Sequence, residues 1–342
     1  MRLAVVGLGY WGPNLVRVLN ELPEADLKVI CDLDRGALEK AAVRYPGLRA
    51  TDRYEDILED DEIDAVVVAT PVSTHEEIVA AAVAADKHVF VEKSLTESSL
   101  TARRLIDEAA RRNVVLMPGH TFLYSPPVLM IGDLIHTGQL GDIYFVTSSR
   151  VNLGMHQPDV SVTWDLGPHD FSILCYWLGE LPTSVVAVSR GCIVPTLPDV
   201  AFISLGFPSG TIAHVELSWL APSKLRRTAV VGSEKMVVYD DTSNEPVRVF
   251  DSGATPPSPQ TFGEFKMSYR SGDVVSPRID AAEPLVHEML DFCEAIRTGT
   301  EPRSSSTIGL EVIQICEAVD ASLETGGPVQ ITPSVAVGDA SQ

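Results

Sequence analysis

Three side chains in this sequence have the types and setting to move a proton and steady a developing charge. Asp165 and His169 stand four residues apart in Thr163-Trp164-Asp165-Leu166-Gly167-Pro168-His169-Asp170, so on a helix they share a face. A carboxylate beside an imidazole sets its tautomer and raises its basicity, which makes His169 a candidate acid/base and Asp165 its orienting acid. Lys93 closes the run Lys87-His88-Val89-Phe90-Val91-Glu92-Lys93-Ser94, where an ammonium could hydrogen-bond a hydroxyl and stabilise the alkoxide formed from it. Taken singly, each has a plain structural reading: Asp165 as a helix cap, His169 as a satisfied polar residue at a domain seam, Lys93 as an exposed loop lysine. What separates the readings is whether the chain also binds a group that takes up the other half of such a reaction.

The N-terminus supplies that group. Leu3-Ala4-Val5-Val6 reads as a strand, Gly7-Leu8-Gly9-Tyr10-Trp11-Gly12 as a turn, and Leu15, Val16, Val18 and Leu19 as the buried face of a helix. Gly7 permits the tight turn, Gly9 lets main chain approach a pyrophosphate, and Gly12 lets helix and strand pack closely. Phosphates then lie at the positive end of the helix. The next apolar run, Leu27 to Cys31, ends on Asp32, twenty residues after Gly12, placed to accept from ribose hydroxyls. An acid there favours NAD and repels a 2′-phosphate; Arg35 keeps NADP open, and a cap for the helix Asp34 to Arg44 is the alternative role for Asp32. With a dinucleotide present, His169 takes the hydroxyl proton as hydride leaves the carbon that bears that hydroxyl.

The elements that must position these groups follow in order. After the helix ending near Arg44 come a connection at Thr51 to Tyr54, an acidic helical stretch from Glu55 to Asp61, and Ile63 to Thr70, whose β-branched core predicts a strand buried on both faces of a parallel sheet. Ligands of open α/β sheets bind beyond the carboxyl ends of the strands, so Thr70, Pro71, Glu92 and Lys93 border the cofactor, as does His75, which opens the helix to Ala85 and reads equally as a solvated or capping residue. Ser98 to Asn113 and Val114 to His120 complete a dinucleotide-binding domain over residues 1–120.

From Thr121 the pattern changes to a helix, Phe122 to Gln139, and then a series of strands: Ile143 to Val151, Val185 to Val188, Val200 to Gly206, Thr211 to Trp219, Arg227 to Val231 and Lys235 to Tyr239. Strands in succession predict a mostly antiparallel open sheet, hence an α+β second domain over 121–333 with one sheet face available to a partner subunit. Pro168 suits a helix's first turn, capped by Thr163 or Asp165. Asp251 to Gly263 reads as a long loop or arm, Pro284 to Thr298 and Thr307 to Leu323 as closing helices, and 334–342 as a disordered tail.

Bulk composition agrees. The 342 residues suit two domains, and 47 acidic against 26 basic residues, a formal charge of -21, argue against nucleic acid or an anionic membrane as partner. With no apolar run of membrane-spanning length and no leader pattern, the expected location is the cytoplasm. The five cysteines are widely spaced without a CxxC pair and read as reduced thiols; no metal site is assigned.

Together, Gly7 to Gly12, Ala69-Thr70-Pro71 with His75, Glu92-Lys93, and Asp165-x-Gly167-x-His169 make the chain resemble the Gfo/Idh/MocA oxidoreductases over nearly its whole length. The resemblance implies a Rossmann domain for NAD or NADP, Lys93 contacting substrate and nicotinamide, Asp165 as substrate-binding acid and His169 as proton-transferring histidine. Ser94 stands where the family usually has proline. Arg150 to Gly154 with Trp164 to Asp170 is similar to the sugar and nucleotide-sugar 3-dehydrogenase branch, which implies hydride transfer at a ring carbon, C3, of a sugar or nucleotide sugar. The other readings are a ketoreductase of deoxy- or amino-sugar biosynthesis, a cyclitol dehydrogenase, a non-catalytic NAD-sensing regulator and an NAD-dependent glycosidase. Candidate substrate contacts are His120, Tyr124, Asn152, Trp164 and Asp165, each with packing as its alternative, and Lys224, Arg226 and Arg227 as a possible phosphate answer. The expected assembly is a homodimer or homotetramer.

Overall fold

The computed structural model describes residues 1–154, 156, 160–255 and 268–332. These divide into two compact units, Met1–Ser125 with Ala281–Ile313, and Pro126–Asp280 with the described residues from Gln314 onward.

In the first unit β1 (Arg2–Val6), β2 (Asp26–Cys31), β3 (Arg49–Thr51), β4 (Ala65–Val68), β5 (His88–Glu92) and β6 (Leu116–Gly119) form a parallel sheet in the order β3-β2-β1-β4-β5-β6. The order reverses between β1 and β4, and the carboxyl ends on either side of such a switch are where these sheets bind ligands. Every residue of β4 is buried, as its unbroken Ala65-Val66-Val67-Val68 requires of a strand covered on both faces. The crossovers are α1 (Gly12–Glu21), α2 (Arg35–Arg44), α3 (Glu55–Leu58), α4 (His75–Ala84) and α5 (Ser99–Arg112). Leu15, Val16, Val18 and Leu19 of α1 are all buried, each contributing about 1.5–3 kcal/mol of transfer free energy. The connection read at Thr51 begins as the edge strand β3, too short to show a period of its own.

The second unit opens with α6 (Pro126–His136); the residues before it, Thr121–Tyr124, form a 3-10 turn of the first unit, because Pro126 supplies the helix start. Its sheet comprises β7 (Ile143–Leu153), β8 (Ser184–Arg190), β9 (Val200–Gly206), β10 (Ile212–Ser218), β11 (Leu220–Gly232), β12 (Met236–Asp240), β13 (Val247–Thr255) and β14 (Ser268–Val275), with β15 (Val329–Gln330) at the far edge. Among the described residues the order is β14-β13-β12-β11-β7-β10-β9-β8-β15, antiparallel throughout except for β10 on β7. Alternation along β9 and β10 buries Ala201, Ile203 and Leu205 with Ala213, Val215 and Leu217, and leaves Phe202 and Ile212 exposed on the other face.

The buried face carries α7 (Val162–Leu178). Asp170 of α7 accepts from Arg150 Nε at 2.5 Å and from Ser148 Oγ at 2.7 Å, and Ser148 also meets Thr228 of β11 at 2.8 Å. Arg150 and Asp170 are almost wholly shielded from water, so this ion pair fixes where α7 lies on β7. Against expectation α7 begins at Val162 after Ser161, which leaves Pro168 inside the helix; neither Thr163 nor Asp165 is its cap. Without an N–H, Pro168 leaves the Trp164 carbonyl without its usual intrahelical donor.

The stretch read as an arm from Asp251 is strand as far as Thr255; the remainder of that reading, residues 256–263, lies outside the described residues, as does the tail 334–342. The closing helices are α8 (Pro284–Thr298) and α9 (Ser306–Thr325). They were expected in the second domain, but α8 and the first part of α9 cluster with the first unit. Phe292 of α8 packs edge-on against Phe90 of β5, with ring centroids 5.9 Å apart, and Arg17 of α1 pairs with Glu283 just before α8. Among the described residues no helix is long and apolar enough to cross a membrane.

Candidate active site

In the first unit the glycine turn is shaped by close contacts. Gly7 has φ +95°, and a Cβ there would lie 2.6 Å from the Ala69 carbonyl oxygen; one on Gly12 would lie 2.0 Å from the Gly7 oxygen. A Cβ on Gly9 would meet nothing within 4 Å, so that side of the turn is open to a ligand. Leu8 is buried and offers only its main chain, whereas Tyr10 and part of Trp11 are exposed. Asp32 accepts from Leu8 N through one carboxylate oxygen and from Asp34 N through the other, while Asp34 caps α2 through Gly36 N and Ala37 N. Asp32 is therefore not the helix cap. It fastens the glycine turn to the end of β2, and lone pairs remain on its oxygens for ribose hydroxyls. These features fit a dinucleotide.

Beyond β4, Thr70 and Pro71 lead into a 3-10 turn in which Thr74 Oγ1 donates to Thr70 Oγ1 at 2.8 Å. His75 is 1% exposed, with Nδ1 2.8 Å from the Ser94 carbonyl and Nε2 2.9 Å from the Thr70 carbonyl. Burial lowers its pKa, and the two carbonyls work against that. Its ring is buried and spent on main chain, which overturns the solvated and capping readings of His75: it ties the segment after β4 to the segment carrying Lys93. Ser94, in the place of the usual proline, is itself buried and held through this carbonyl.

Glu92 and Lys93 end β5. The Trp11 indole donates to the Glu92 carboxylate, whose pKa burial pushes up to about 7 against the pull of Lys93. His120, after β6, is 1% exposed, and burial first, then Lys93, lowers its pKa to about 3; it is a neutral imidazole. Tyr124 is corrected from a substrate contact to a packing residue: fully buried, it donates to Asp291 Oδ2 at 2.6 Å and accepts from Ser304 N at 3.0 Å. Sequence reasoning missed Glu288 of α8, fully buried and accepting from Thr121 Oγ1 at 2.7 Å. A signal existed, because Leu285, Glu288, Met289 and Phe292 fall on one helical face that is otherwise apolar.

In the second unit Asp165 and His169 lie one turn apart on α7, both part-exposed. Trp219 Nε1 donates to Asp165 Oδ2 at 3.1 Å. Trp219 is buried, a Cβ on Gly154 would lie 2.8 Å from its Cδ1, and Gly154 N donates to its carbonyl at 2.9 Å. The end of β7, Trp219 and Asp165 thus form one block, beside which Asn152 is part-exposed. Trp164 gives its indole N–H to Asp320 at 2.7 Å and keeps a part-exposed ring. The basic trio does not converge. Arg226 is paired with Asp241 at 3.0 Å and opposite Arg150 in register, Arg227 is opposite Ser149 and so points to the other face, and Lys224 is exposed. Replacing Trp219 by Phe removes a bond to a charged group, a loss of about 1.5–3 kcal/mol. The expected result is a kcat/KM about 10- to 100-fold lower by steady-state kinetics with NADH affinity unchanged; an unaltered kcat/KM would show that Asp165 needs no such support.

Residues 1–120 match the model of an oxidoreductase family with an NAD-binding Rossmann fold, GFO/IDH/MocA, and residues 128–238 match the GFO/IDH/MocA C-terminal domain. The chain is 27% identical over 350 aligned residues to the scyllo-inositol 2-dehydrogenase (NAD(+)) of Bacillus subtilis, covering 97% of this chain and 96% of that one. It is 30% identical over 224 residues to inositol 2-dehydrogenase 2 of Saccharopolyspora erythraea, covering 64% and 66%. Among solved structures, GenD2 from gentamicin A biosynthesis in complex with NAD superposes with a TM-score of 0.82 at 26% identity, over 97% of each chain.

Proposed function

The chain belongs to the GFO/IDH/MocA oxidoreductase family, NAD(P)-dependent enzymes of sugar and cyclitol CH–OH groups, and we propose that its substrate is an uncharged ring polyol. The observation that carries this choice is the scatter of Lys224, Arg226 and Arg227 over two faces of β11, so that this trio does not converge on a sugar nucleotide's pyrophosphate. For a pyranose we assign the reaction to C3, on the likeness of Arg150 to Gly154 and Trp164 to Asp170 to the 3-dehydrogenase branch. The inositol relatives support a cyclitol equally.

When bound, NAD supplies a hydride acceptor. Gly7 to Gly12 and Asp32 hold its pyrophosphate and ribose, with Thr70, Pro71, Glu92 and Lys93 along the strand ends. In the second unit the imidazole of His169 is assigned the proton of the reacting hydroxyl, with Asp165 orienting that imidazole; in the first unit the Lys93 ammonium is assigned the charge that develops on a substrate oxygen. Asn152 and Trp164 of the second unit are assigned to the substrate's remaining surface. Absorbance at 340 nm tests the reading with purified protein, NAD or NADP, and a panel of inositols, free sugars and nucleotide sugars. Reduction with an inositol or free sugar is expected; turnover of nucleotide sugars alone would reject the uncharged substrate. We also assign the exposed face bearing Val186, Val188, Phe202 and Ile212 to self-association as a dimer or tetramer, and a monomer mass by light scattering would count against it.

A further inference from the structure

We propose that Glu92 and Glu288 are a proton-sharing carboxyl pair linked to the cofactor's redox state, so that binding the oxidised dinucleotide expels a proton that the reduced one leaves in place. The inference rests on the NAD-binding reading of the first unit.

Glu288 is fully buried on α8, with Oε2 accepting from Thr121 and Oε1 shut off from water without a hydrogen-bond partner. Glu92, at the end of β5, likewise has Oε1 shielded and without a partner, and its Oε2 lies 3.2 Å from where a Cβ on Gly119 would be. His120, next to Thr121, has neither ring nitrogen engaged. Four buried polar atoms without partners at one end of β5 and β6 mark a place where protons, water or a ligand are exchanged. The negative charge of Glu92 opposes ionisation of Glu288, and burial opposes ionisation of both. Two carboxyls in such a setting keep a proton between them.

The charges facing the pair set its balance. Lys93 adjoins Glu92 and favours its ionised form. Asp291, one turn along α8, opposes ionisation of Glu288, and is itself occupied by Tyr124 Oη and Arg303 N. The Arg303 guanidinium lies over the Tyr124 ring, 5.2 Å from its centroid. His120 is neutral beside Lys93. The route to the cofactor is Trp11, a residue of the glycine turn that donates to Glu92. Oxidised nicotinamide carries a positive charge that the reduced ring lacks, so its arrival near Lys93 favours the ionised pair. By linkage the proton leaves for solvent, and the same coupling makes oxidised-cofactor affinity rise with pH.

The test is calorimetric titration of the full chain with NAD and with NADH, without substrate, in buffers of different ionisation enthalpy near pH 7. Leaving out substrate removes the proton that the reaction itself would hand to His169. Wild type is expected to release more protons with NAD than with NADH, and the difference is expected to shrink in Glu288→Gln, with NADH affinity retained, because only one ionisable carboxyl of the pair remains. Equal release with both cofactors, or a difference left unchanged by the substitution, would overturn the proposal. Heat from neither dinucleotide would reject the cofactor reading instead, and the linkage with it. Infrared spectra of cofactor-free protein decide the pair separately: a protonated-carboxyl carbonyl band is expected in wild type near neutral pH, titrating away at higher pH, and weakened in Glu288→Gln. Absence of that band from wild type sinks the shared proton even if the variant does not fold.

Discussion

Replacing His169 by alanine is expected to lower kcat by about 10²–10⁴-fold, the usual contribution of a positioned general acid/base. The imidazole sits on α7 one turn beyond Asp165, part-exposed, on a helix whose next residue is pinned to the sheet by Arg150 and Ser148. That anchoring means the substitution removes a reacting group without loosening the element that bears it. Thermal midpoint and NADH affinity should therefore stay near wild type, since the glycine turn and Asp32 belong to the other unit. His169→Gln, which keeps hydrogen bonding but cannot accept the proton, should lose nearly as much. Near wild-type turnover in either variant, with cofactor binding intact, would falsify the acid/base assignment. Lys93→Met gives a complementary result. It keeps the length of the side chain and removes the charge, so kcat should fall with it while His169 remains in place.

The parts of this fold that were legible in sequence are those specified by local chemistry. Gly7 and Gly12 could be assigned because a Cβ at either position has nowhere to go, and β4 because four consecutive buried apolar residues suit only a strand covered on both sides. Asp32 was singled out by spacing, whereas its hold on Leu8 N depends on how the turn folds back and has no sequence mark. The strands β13 and β14 were hidden because Ser, Gly and Pro around residue 255 imitate a loop, and because Arg248, Asp251 and Arg270 interrupt the apolar alternation at this end of the sheet. Membership of α8 in the first unit is a tertiary fact. Its apolar face predicts burial, and only packing on Phe90 and the 3-10 turn shows where.

The candidate site shows the same division. Lys93, Asp165 and His169 were proposed from residue type and spacing, whereas a contact such as that of Trp219 with Asp165 has no mark in the sequence. His75 was read as a cofactor neighbour because histidine at a strand end invites that role, yet its two carbonyl contacts make it the brace for the segment where Ser94 replaces proline. Trp219 and Glu288 are distant in sequence from the groups they serve. Each was visible only as an apolar-run residue with one polar group, and the structure gives that group a partner in Asp165 and Thr121 respectively.

Asp170→Ala is expected to destabilise the protein by about 3–5 kcal/mol, the usual result of stripping one partner from a buried ion pair. Arg150 and Asp170 are 5% and 4% exposed, so water cannot replace the carboxylate, and Ser148 Oγ would lose its acceptor as well. Asp170→Asn should lose less, because an amide oxygen can still accept from Ser148 or Arg150. The double variant Arg150→Met with Asp170→Leu should recover much of the loss, since an apolar pair of similar volume avoids burying any charge. Urea midpoints at constant m report these differences. Should Asp170→Ala unfold no earlier than wild type, the pair would be a bystander. Activity separates stability from chemistry: folded Asp170→Asn, assayed well below its midpoint, should retain more turnover than His169→Ala although it is the less stable protein. A fall equal to that of His169→Ala would instead mean that the buried pair sets the imidazole's position so tightly that the anchor and the reacting group act as one unit.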